Sequence, residues 1–121
     1  MAYPGNHTFN TVYRDAYTPS VGGTPVAVNF RIPFRCKIVA VSGVINGAIT
    51  SADCSIACAV NGGTAFTTLV IPQSGSAAGT NASQVPASPT YANSGDYVTM
   101  TPSGASGSNI SATLSLTLRP A

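Results

Sequence analysis

From residue 109 to 119 the chain alternates without a break. Ile110, Ala112, Leu114, Leu116 and Leu118 fall on one parity, and Ser111, Thr113, Ser115 and Thr117 on the other. A period of two puts one face of an extended strand on a core and the other on water or a partner, as in an antiparallel sheet. A shorter version runs from residue 26 to 32, where Val26, Val28 and Phe30 stand apart from Ala27, Asn29 and Arg31 until Pro33 ends the run. It predicts the first full strand. Residues 36–45 are apolar on both parities around Val39, Val41 and Ile45 and lead into Asn46-Gly47, which predicts a more central strand and then a turn. Residues 54–60, the turn signal Asn61-Gly62-Gly63 and residues 64–71, with Phe66, Leu69, Val70 and Ile71, predict a hairpin. Residues 96–101, the linker PSGASGS and the final strand predict a second hairpin.

Between these runs, residues 72–94 are rich in Ser, Ala, Gly and Pro and read as loop with one short strand, offering a core only Val85 and Tyr91. No window of a dozen residues shows a helical repeat of three and four. Seven or eight short strands separated by turn residues predict an all-β fold, an antiparallel jelly-roll-like β-sandwich over residues 26–121.

Residues 1–25 differ. Tyr3, Phe9, Tyr13 and Tyr17 crowd into a stretch broken by Pro4, Pro19, Gly22, Gly23 and Pro25, so the segment has bulk but no core of its own. It is expected to be an extended N-terminal arm, folded over its own sandwich or docked on a neighbouring subunit. Removing residues 1–18 is then expected to leave the sandwich folded while weakening attachment or self-association.

Composition narrows the function classes. Only 7% of the 121 residues are charged; there is no glutamate, one histidine, His7, and three aspartates, Asp15, Asp53 and Asp96. Proton transfer, nucleophile activation and metal ligation draw on these residue types, and no GxSxG turn or DxD cluster is present. The chain is therefore expected to be no enzyme, with no cofactor and no metal. Cys54 and Cys58, four apart on one strand, lie about 13 Å from each other at a rise of about 3.3 Å per residue, too far for a disulfide or one zinc ion. With Cys36 they read as small buried hydrophobes. A net charge of +2 and few aromatics argue against nucleic acid. No stretch is apolar enough for a membrane helix or a secretory signal, so no membrane is expected, and synthesis in the cytoplasm is.

Contact then remains. Aromatics and arginine are enriched at interface centres, which singles out Tyr3, Phe9, Tyr13, Arg14 and Tyr17, and then the basic trio Arg31, Arg35 and Lys37 facing an acidic partner. Lysine is the usual guard of exposed strand edges, and this chain has only Lys37, so a neighbouring subunit or a scaffold is expected to cover at least one edge.

In order, RIPFRCKIVAVSGVINGAITSADCSIACAVNGG (31–63), IPQSGSAAGT (71–80) and GDYVTMTPSGASGSNISATLSLTLRP (95–120) resemble the small jelly-roll decoration, or cement, proteins of tailed bacteriophage heads. The resemblance covers about three quarters of the chain and excludes the first 25 residues. It implies a virion structural protein on the outer capsid surface that bridges major capsid subunits, stabilises the shell and forms a homo-oligomer, a dimer or trimer. A receptor- or carbohydrate-binding module on the same sandwich is the competing class. The absence of Trp and the scarcity of Asp and Glu weigh against it. A self-assembling shell subunit is a third class, for which a single sandwich is small.

Overall fold

In the computed structural model, which describes residues 11–103 and 108–121, alternation along the chain becomes register between strands. Nine strands form: β1 (Val12–Thr18), β2 (Val28–Arg31), β3 (Cys36–Ile45), β4 (Cys54–Val60), β5 (Ala65–Ile71), β6 (Asn81–Gln84), β7 (Tyr91–Ala92), β8 (Tyr97–Ser103) and β9 (Ala112–Pro120). Two antiparallel sheets result. The first, sheet I, has the order β1-β9-β3-β6, with the short β7 also on β3; the second, sheet II, has the order β2-β8-β4-β5. Apart from β4 to β5 within one sheet and the β6–β7 step in the other, each connection crosses the sandwich, which is the jelly-roll topology.

The core lies where the alternating faces meet. Leu114, Leu116 and Leu118 of β9, Ile38, Val41 and Ile45 of β3, Ile56 and Cys58 of β4, and Val98 and Met100 of β8 are all buried. The Asn61-Gly62 signal is realised as a two-residue turn with both residues at positive φ, 53° and 72°, closed by the Gly63 N–H donating to the Val60 carbonyl at 3.0 Å. Those angles match the right-handed twist of the flanking strands, which is why Asn-Gly is favoured there. Pro102 sits inside β8 yet breaks no ladder, because β2 stops at the Val28–Met100 pair and leaves Pro102 without a neighbour on that side.

Four expectations are corrected. The sandwich begins at Val12, not at residue 26: β1 pairs with β9 along its whole length, from Val12 opposite Leu118 to Thr18 opposite Ala112, and Thr18, Ser20 and Val21 are buried. Removing residues 1–18 would therefore strip an edge strand from the core. Residues 1–10 of the expected arm, including Tyr3 and Phe9, lie outside the described residues. The second hairpin does not exist, since β8 pairs with β2 and β4 in sheet II while β9 pairs with β1 and β3 in sheet I. Val26 is exposed and precedes β2. Val85 and Tyr91 are also exposed, and the 72–94 stretch instead gives the core Ala82 and Ala92.

Acid sensitivity rests on few groups. Asp96 accepts a hydrogen bond from the Asn93 backbone N–H at 2.8 Å in the turn that opens β8, and this bond, with a second from Asn61, holds its pKa below the usual carboxylate value. A folded pKa below the unfolded one means the stabilisation is present above the unfolded value of roughly 4 and disappears as pH falls through the folded value. The urea midpoint should therefore stay level from about pH 7 to 5 and fall below about pH 4. In Asp96→Asn the midpoint should be lower at neutral pH and the acid slope shallower, read by fluorescence-monitored urea titrations at both ends. An unchanged slope would show that Asp96 does not set it.

Candidate docking face

Register decides which side chains leave the sandwich together. Opposite residues in an antiparallel pair point the same way, so the outer face of sheet I is fixed by Thr113, Ser115, Thr117 and Arg119 of β9, the positions between its buried leucines. Tyr17 and Val44 flank Thr113, Asp15 and Ser42 flank Ser115, Tyr13 and Ala40 flank Thr117, and Lys37 stands opposite Arg119. On the far side of Lys37, Tyr91 of β7 is its partner. Tyr13 is 70% exposed, Tyr17 63% and Tyr91 50%. Three of the four tyrosines among the described residues thus share one face with Ser, Thr, Ala and Val44 and with the charged Asp15, Lys37 and Arg119.

Nothing buried needs those rings. Phe30 is the buried aromatic of the core, with Phe34 and Phe66 packed at its margin. An exposed tyrosine offers a large rigid surface with a hydroxyl at its tip and loses little conformational freedom when covered. Asp15, the carboxylate on this face, accepts a hydrogen bond from Ser115 Oγ at 2.6 Å, so Tyr13 and Tyr17 are framed by neutral or satisfied groups, while Tyr91 lies beside Lys37.

The expected contact residues are divided by the fold. Tyr13 and Tyr17 are on this face, whereas Arg14, between them on β1, points to the seam where the edges of the two sheets part. There, with Asp15, Ala16, Asn29, Phe30 and Arg31, it lines an open groove of about 330 Å³. The basic trio is split: Arg31 stands on the outer face of sheet II opposite Tyr97, while Lys37 is on sheet I. Arg35, in the link to β3, lays its guanidinium 5.7 Å from the Tyr91 ring centroid and donates from Nη1 to Asn93 Oδ1 at 2.6 Å. The structure therefore assembles a different basic group, in which Lys37 has Arg119 on one side and Tyr91, with Arg35 on its ring, on the other. Pairwise register joins Arg119 to Lys37 across 82 residues of sequence, and no local pattern announces it.

The outer face of sheet II is plainer. Ser55, Ala57 and Ala59 of β4 run beside Thr68 of β5 and Thr99 and Thr101 of β8, with Tyr97 and Val70 at its margins. Cys54 and Cys58 point the other way, into the core, and burial pushes each thiol up to about 11; Cys36 is raised for the same reason, aided by the charge of Asp96. Thiols so placed are protonated and unreactive at neutral pH. Among the described residues no three His, Cys, Asp or Glu side chains gather as metal ligands.

A phage capsid chain has the same fold. The structure matches a chain in the acidic stable capsid structure of Helicobacter pylori bacteriophage KHP30 with a TM-score of 0.58, over 90% of this chain and 86% of that one, at 17% sequence identity. The two coverages make the chains close in length. No family model matches the sequence, and no curated protein does.

Proposed function

We propose that this protein is a virion structural component that decorates a phage head: it docks on the outer surface of the assembled shell, bridges neighbouring major capsid subunits as a homo-oligomer and stabilises the shell, without catalysis. The observation that carries the reading is the fold likeness, across nine-tenths of this chain, to a capsid chain of similar length. The outer face of sheet I supports docking as the mode of action, since three exposed tyrosines lie there, Tyr13 and Tyr17 beside Thr117 and Thr113 and Tyr91 beside Lys37. Many weak contacts suffice on a repeating lattice, because engagement of one site raises the effective concentration at the next.

The test is co-sedimentation of the purified chain with phage heads stripped of it, scored as copies bound per head. Saturable binding at a copy number set by lattice symmetry, with a rise in the temperature at which the heads release DNA, is the expected result. A folded protein that leaves heads unoccupied would overturn the reading and favour a receptor- or glycan-binding module.

A further inference from the structure

Lys37 and Arg119 stand directly opposite each other on sheet I, and like charges in that position repel. The chain has five cationic side chains and three aspartates, yet it places two of the cations as cross-strand partners and brings Arg35 onto the Tyr91 ring that flanks Lys37 on the other side. The aspartates are engaged elsewhere: Asp15 with Ser115, Asp53 with the Gln73 backbone N–H, and Asp96 with that of Asn93. Asp96 belongs to the turn that also holds Asn93, the partner of Arg35. Ala121 closes the strand end by donating its N–H to the Arg35 carbonyl at 3.2 Å. A local conflict of this kind inside an otherwise consistent sheet marks a place shaped for a partner rather than for stability.

Beside the cations is a slot of about 220 Å³ whose floor includes Lys37, Val39 and Arg119 and whose wall is the 85–89 segment. Val85 is 66% exposed there. Pro86 and Pro89 have no N–H to donate, so the wall offers apolar contact instead of a strand edge, and selection falls to side chains. We infer that this corner receives an acidic segment of a protein partner, with carboxylates on Lys37, Arg119 and Arg35 and small apolar side chains against Val85 and Pro86. Charge complementarity identifies the occupant: arginine meets a carboxylate through two parallel hydrogen bonds, lysine adds a point charge, and the wall gives the small apolar side chains of the same segment a surface to pack on. The inference deepens the docking reading by giving the chemistry of the surface that meets sheet I.

The test needs no phage heads, so it succeeds or fails apart from that reading. The ¹⁵N-labelled full chain is titrated with a blocked peptide of alternating Asp and Val, with the same peptide carrying Asn for Asp, and with oligothymidylate, following backbone amide shifts. The Asp peptide should move Lys37, Val39, Val85, Tyr91 and Arg119 saturably. The Asn peptide should bind at least about tenfold more weakly, and the preference should shrink as salt rises from about 0.05 to about 0.5 M. The variant K37Q/R119Q should lose the preference yet melt at the same temperature or a few degrees higher, because a repulsive pair has gone. Equal binding of the Asn peptide, oligothymidylate binding as strong as the Asp peptide, or a preference retained in K37Q/R119Q would each overturn the inference. Wild-type protein that fails to sediment with heads would remove the docking reading and leave this assay standing.

Discussion

Truncating Leu114 to alanine should destabilise the fold by about 2–5 kcal/mol, seen as a fall in melting temperature of more than about 10 °C. Leu114, the third residue of β9, is fully buried, and across the ladder it faces Gly43 of β3. Gly43 leaves a gap that its neighbours fill: a Cβ there would lie 3.0 Å from Leu114 Cδ2 and 3.4 Å from the ends of Ile71 and Leu69. The leucine thus occupies space that β3 leaves empty, and no side chain of β3 can follow it inward when it is shortened. Gly43→Val alone should also destabilise, by roughly 1–3 kcal/mol, through overpacking. Together the two changes exchange three carbons for three across one contact, so the double variant should be more stable than the sum of the singles predicts, by about 1 kcal/mol or more. Urea unfolding of the four proteins measures this coupling, and strict additivity would show that Leu114 and Gly43 do not share the space.

That contact lay partly within reach of the sequence. The alternation in β9 was legible because one face is wholly buried and the other entirely polar, Ser and Thr up to Arg119, which leaves one orientation open. The β4–β5 hairpin was legible because its turn demands positive φ and supplies Asn-Gly. β1 was hidden because its parity is inverted. The core side of the strand carries Val12, Ala16 and Thr18, with Arg14 exposed at the seam, and the outer side carries Tyr13 and Tyr17, so the bulkier rings face solvent and the alternation reads as no strand at all. β6 gives the core only Ala82, too little to register as a period. The β8–β9 connection was misread because a Gly/Ser-rich link looks the same whether the chain turns back in its own sheet or crosses to the other. At the site, Tyr13, Tyr17 and Lys37 were found by residue type, whereas Arg119 and Tyr91 joined them through strand pairing alone.

Replacing both outward tyrosines of β1 with serine, Y13S/Y17S, should reduce head attachment by at least about thirtyfold while leaving the fold intact. Central aromatic contacts of an interface commonly contribute about 2 kcal/mol or more each, and 1.4 kcal/mol is a factor of ten in affinity. The cost to folding should be below about 1 kcal/mol per site, because both rings are more than 60% exposed and lose only their cross-strand neighbours Thr117 and Thr113. Tyr97→Ser is the matched control, a tyrosine of 43% exposure on the outer face of sheet II. Sheet I and sheet II face opposite ways, so only one of them lies on a given flat patch of shell. If sheet I docks, Y13S/Y17S abolishes co-sedimentation at concentrations where Tyr97→Ser binds normally. The reverse outcome, attachment lost in Tyr97→Ser and kept in Y13S/Y17S, would move the docking face to the small-residue surface of β4 and β8 and leave the tyrosines of β1 to contacts between copies of the chain. Sedimentation equilibrium of Y13S/Y17S without heads separates those two roles, since tyrosines that join copies would lower the oligomer mass and tyrosines that meet the shell would leave it unchanged.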